Sequence, residues 1–220
     1  MRSMDTLVSP TAPPLLRGYL HLVGAIAAPG ALLLLVFNAD SPREVVGGAI
    51  FGASLVALYS TSAIYHLVPL APRLRSVMAG LDRSVIFVFI AGSYAPFALN
   101  LLGDAWGIPV LSVVSGLAGI GIIVTLAAPA APRWVRVGLY LTIGWVGLVA
   151  ITQLVNALPW EGFAMLVLSG VLYSLGGITY ATRRPDPFPS VFGYHETFHL
   201  LQFAATAVVY LVVFNYVLGS

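Results

Sequence analysis

Residues 108–127 read IPVLSVVSGLAGIGIIVTLA, without a single charged side chain. A helix rises 1.5 Å per residue, so roughly 20 such residues span the hydrocarbon core of a bilayer. The same pattern repeats outward in both directions. Apolar runs lie at 18–37, 45–67 and 82–101 before this stretch, and at 134–157, 162–181 and 195–218 after it. Helix breakers separate them: Asp40 and Pro42, Pro69 and Pro72, Gly103 and Asp104, Pro129 and Pro132, Pro159 and Trp160, then Pro185, Pro187 and Pro189. Pro96 and the glycines inside the runs are compatible with membrane helices, where neighbours re-satisfy the backbone.

Composition agrees with that reading. Of the 220 residues, 59% are hydrophobic and 8% charged. Soluble domains carry about 45–50% and about 25%. So few charges cannot cover the surface of a soluble protein, and so apolar a chain is not disordered. The expectation is an all-α polytopic membrane protein. Seven transmembrane helices fill residues 17–220, and residues 1–16 form a disordered cytoplasmic tail. The run at 18–37 exceeds a signal-peptide core and is read as a retained helix. The chain has no cysteine, which excludes disulfides, thiolate metal sites and cysteine nucleophiles. Its basic residues form no cluster interleaved with exposed aromatics, so nucleic acid is not the expected partner.

Arginine placement sets the direction. With seven helices, Arg2, Arg17, Arg73, Arg75, Arg83, Arg133, Arg136, Arg183 and Arg184 fall on one side, and Arg43 alone on the other. Positive residues stay inside. The N-terminus is therefore expected in the cytoplasm and the C-terminus outside, with the chain multi-pass in the plasma (inner) membrane.

An ionisable residue at the centre of a span costs about 2.5–3.5 kcal/mol, so each one needs a reason. His66 ends the second run, with Ser62 one turn earlier on the same face. Asp82 opens the third run. His195 and His199 open the seventh, again one turn apart on one face. If the three helices are neighbours, these groups meet at one depth. Two imidazoles four residues apart form a bidentate metal site, and a third completes the ligand set of a catalytic Zn2+ with one open position. Zinc lowers the pKa of a bound water to about 7. Asp82 would hydrogen-bond that water or accept its proton, and Ser62 would orient a ligand or a carbonyl. The string His195-Glu196-Thr197-Phe198-His199 also matches H-E-x-x-H, whose Glu is the base of zinc peptidases. Glu196 reads equally as a first-turn acid facing the helix dipole. Asp82 reads equally as a helix cap.

Three segments together resemble one family: Ser62-x-x-x-His66, LDRSVIFVFIAGSYAPF (81–97) and GYHETFHL (193–200). They look like the hemolysin III family of the progestin and adipoQ receptor superfamily, which is related to alkaline ceramidases. The resemblance covers about residues 15–218. It implies seven helices with a cytoplasmic N-terminus and a zinc held by His66, His195 and His199. It implies Asp82 and Ser62 beside the ion. Arg83 stands where many members carry His, and Tyr194 where Gly is common.

The readings that follow are a zinc-dependent hydrolase of lipid amide or ester bonds, a receptor or sensor with structural zinc, and a pore-forming cytolytic protein. A fourth, an intramembrane peptidase built on Glu196, fits less well, because the third ligand of such enzymes is normally an acid. The first two take a lipid from the bilayer as substrate or ligand.

Overall fold

The computed structural model describes residues 14–219. The tail expected over 1–16 therefore lies outside the described residues as far as residue 13. Among the described residues the structure is all-helical apart from one isolated bridge between Phe188 and Phe192. The helices are α1 (Tyr19–Phe37), α2 (Pro42–Leu67), α3 (Pro72–Asn100), α4 (Gly103–Ala127), α5 (Arg133–Gly144), α6 (Ile151–Ala157), α7 (Trp160–Thr182) and α8 (Tyr194–Tyr216). A 3-10 turn, Val146–Ala150, joins α5 to α6, so that the two make one broken passage among seven.

The breakers in the sequence become helix starts. Pro42 and Pro72 open α2 and α3, where the missing N–H has no helical partner to lose. Ser41 caps α2 by accepting from the Glu44 N–H. Pro132 and Pro159 precede α5 and α7 directly. Loops this short turn each helix back along its predecessor. The ring closes where the last helix meets the first: the Tyr210 hydroxyl donates to the Ala31 carbonyl at 3.1 Å, and Asn38 donates to the carbonyls of Phe214 and Leu218.

Six passages are long and apolar enough to cross a membrane. The remaining one, α3, carries Arg73, Arg75, Asp82 and Arg83 in its first half. It is held inside the bundle, against α2, α4, α5 and α8. Its seam with α2 is unusually close. A Cβ at Gly47 would lie 2.9 Å from the Pro96 Cα, and one at Gly92 would lie 2.6 Å from the Ser54 Cβ. Small residues allow this approach, as they do generally between membrane helices. The seam brings the end of α2 and the start of α3 together.

The run at 134–157 differs from expectation: it is not one helix. A hydroxyl from α3 holds the break. Tyr94 donates to the Gly144 carbonyl at 2.6 Å and accepts from the Gly147 N–H at 2.9 Å. The Ile143 carbonyl lies 3.2 Å from the same oxygen. Backbone that leaves the helix at membrane depth survives only where protein satisfies it or where it lines a cavity. Here Gly144 and Gly147 do both.

Tyr94→Phe should therefore lower the thermal unfolding midpoint in detergent. It removes the partner of the Gly147 N–H and of the Gly144 carbonyl, where the bilayer offers no water in exchange, at about 1–3 kcal/mol each. An unchanged midpoint would show that the break is held by something else.

Candidate metal centre

The ends of α2 and α8 and the first half of α3 build the site. Asp82 lies inside α3, which begins at Pro72 and not at residue 82, so it neither opens the helix nor caps it. His66 is the penultimate residue of α2 and His195 the second residue of α8. Where α8 begins therefore decides where His195 and His199 point. Its start is fixed by a buried carboxylate: Glu196, 1% exposed, accepts from the Gly193 N–H at 2.8 Å and pairs with Arg17. The Tyr194 N–H donates to Asp186 at 2.7 Å. Arg133 donates to the Tyr194 hydroxyl at 2.9 Å and lies over the rings of Tyr180 and Tyr194. Glu196 is thus engaged at the helix start, as its reading as a first-turn acid anticipates.

The chain entering α1 straps this end. Leu15 and Leu16 donate to the carbonyls of Ser190 and Val191, each at 3.1 Å, and Arg17 follows with its pairing to Glu196. Gly18 then turns the chain into α1 at φ 86, and a Cβ there would lie 2.7 Å from the His66 Cβ. Only glycine meets both demands, the positive φ and the contact.

Within this frame His66, His195 and His199 each bring one ring nitrogen within 4.8 Å of the others. The Nε2 atoms of His66 and His195 are 3.3 Å apart. That is long for a hydrogen bond, whose usual length is about 2.9–3.0 Å. It equals the edge of a tetrahedron whose centre lies about 2.0–2.1 Å from each nitrogen, the zinc–imidazole distance. A set of three nitrogens without sulfur suits zinc with one position left for another ligand. The residues present therefore fit the ion that the sequence suggested.

Asp82 places Oδ2 4.0 Å from the His66 Nε2. Ser62, 2% exposed, lines the same small cavity as Asp82, His195 and His199, a space of about 40 Å3. All five residues singled out from the sequence come together. A second cavity, about 210 Å3 and mostly apolar, lies between α3, α4, the broken passage, α7 and α8. Ile86, Tyr140, Gly177, Phe198 and Gln202 line both spaces, so the two share a wall.

Arg83 lines the small cavity, as its place next to Asp82 suggests, and so does His21, which lies one turn inside α1 at the same end and reads from the sequence as only a weak ligand candidate. Arg136 lines it as well, and sequence reasoning missed it, because an arginine near a helix end reads first as an orientation signal.

Comparison with known proteins gives the family. The family model described as haemolysin-III related matches residues 11–210. The chain is 32% identical over 205 residues to Hemolysin-3 of Bacillus cereus, covering 91% of this chain and 90% of that protein. It is 30% identical over 212 residues to the human monocyte to macrophage differentiation factor, covering 92% and 83%. It is 29% identical over 210 residues to the adiponectin receptor protein of Drosophila melanogaster, covering 86% of this chain and 47% of that protein. A seven-passage helical bundle, histidines gathered at one end and a family match across nearly the whole chain lead to one conclusion: this protein belongs to the haemolysin III-related family of integral membrane proteins.

Proposed function

We propose that the protein is a zinc-dependent hydrolase of lipid amide or ester bonds, acting at the cytoplasmic leaflet of the plasma membrane. One observation carries the reading: the small cavity lined by Asp82 and by His195 and His199, two of the three histidines whose nitrogens converge, shares a wall with an apolar cavity of about 210 Å3. The apolar space takes an acyl chain, and the polar space takes the carbonyl to be cleaved.

His66, His195 and His199 would hold the ion, each through one nitrogen. Zinc held in this way supplies Lewis acidity and brings a water towards ionisation at neutral pH. Asp82 stands beside the ligands, where it takes up the proton of the attacking water and delivers it to the leaving group. Ser62, one turn before His66 on the same face, offers its hydroxyl to the substrate carbonyl. Phe198, Tyr140 and Ile86 line both cavities and shield the bond from bulk water. The arginines at this end support the cytoplasmic placement.

Elemental analysis of protein purified without chelators should give one zinc per chain. His66→Ala and the double variant His195→Ala/His199→Ala should remove it, and zinc retained in both would end the site assignment. Asp82→Ala should keep zinc and the unfolding midpoint while slowing release of fatty acid from lipid amides and esters by about 10²-fold or more. If Asp82→Ala loses zinc as well, the carboxylate is a fourth ligand and the closed site of a sensor is the better reading. If zinc is present, no lipid is cleaved and the protein instead releases dye from vesicles, the cytolytic reading takes over. Orientation has its own measurement, made easy by the absence of cysteine. A membrane-impermeant maleimide should label Asp40→Cys in intact cells and Ser190→Cys only after lysis.

A further inference from the structure

The chain has four histidines, and the metal reading uses three of them. The fourth, His21, lies in the first turn of α1 and is 3% exposed. Its ring stacks on that of His199, with centroids 3.8 Å apart and planes 11° apart. Tyr59 of α2 meets it with an edge, at 5.3 Å and 78°. Gly24, one turn along the same face of α1, makes room for that contact: a Cβ there would lie 2.6 Å from the Tyr59 ring. Among the described residues, neither nitrogen of His21 has a hydrogen-bond partner. Its ring contacts, rather than hydrogen bonds to protein, set its place.

This geometry keeps His21 out of the ligand set. A coordinating imidazole holds its ion in the ring plane, about 2.0–2.1 Å from the nitrogen. Two rings stacked almost parallel share no in-plane point at that range. The nitrogen of His199 converges with those of His66 and His195, so His199 is the ligand and His21 is the surface it lies against. A terminal ring torsion is broad when nothing holds it. In metal sites the ligating ring is held by a group packed or hydrogen-bonded behind it, and loss of that group weakens metal binding.

We propose that His21 is a positioning residue of the metal centre: its ring face, stacked on His199, fixes the plane in which His199 presents nitrogen to the ion. This rests on the reading of His66, His195 and His199 as zinc ligands.

The test uses the full chain with zinc and with cobalt(II) as a coloured substitute. Zinc affinity is measured by competition with a chromophoric chelator for wild type, His21→Phe and His21→Ala. The phenyl ring keeps a flat face and loses both nitrogens. His21→Phe should bind one zinc with affinity within a few-fold of wild type, whereas His21→Ala should bind about 10–100-fold more weakly. The visible bands of cobalt(II) should shift in the alanine variant and stay in place in the phenylalanine variant. Unfolding midpoints of the metal-free forms separate this effect from loss of fold. If His21→Ala does not fold, His21→Leu fills the volume without a flat face and carries the same expectation. Wild-type affinity and spectrum in His21→Ala would overturn the proposal. So would equal weakening in His21→Phe and His21→Ala, which would assign the effect to the nitrogens. A wild type that binds no zinc would instead overturn the metal reading beneath it.

Discussion

The core of a bilayer contains no water, so every polar group placed there must find its partner within the protein. Most of this structure follows from that constraint. It makes each passage helical, because a helix satisfies its own backbone. It also explains why the one passage that leaves the helix, between Gly144 and Gly147, is clasped by the Tyr94 hydroxyl. The same constraint keeps charged groups near the helix ends: Arg43 pairs with Asp104 at one end of the bundle, and the imidazoles gather with Arg17 and Glu196 at the other.

That end is built from contacts between distant parts of the chain. Arg17 and Glu196 are far apart in sequence, yet their pairing fixes the first turn of α8 and so the direction of His195 and His199. Gly18 lets α1 begin directly against His66. The close seam of α2 and α3 brings Asp82 within 4.0 Å of His66. Each contact on its own is an ordinary packing or pairing interaction. Together they gather all four histidines of the chain at one place.

The two neighbouring cavities divide the chemistry between them. The small one carries nitrogen, carboxylate and hydroxyl groups, and the large one is lined mainly by aliphatic and aromatic side chains. A molecule with a polar junction and a long apolar tail suits that division. The break after α5 forms part of the wall of the large cavity, so the departure from regular helix and the ligand space are aspects of one feature.

Much of this was legible in the sequence. Apolar runs and their breakers located seven passages, since the need to span a bilayer acts on each segment separately. Four-residue spacing put Ser62 with His66, and His195 with His199, on single helix faces, since helical periodicity is local. That the three helices are neighbours was only a condition for the site, and tertiary structure met it. Tertiary structure alone also broke the run at 134–157, because the cause is a hydroxyl on α3 some fifty residues away. It alone set His21 against His199, and it alone gave the small cavity a wall in common with the large one. Those features depend on how each helix is rotated against its neighbours, which side-chain packing across the bundle decides and no single segment encodes.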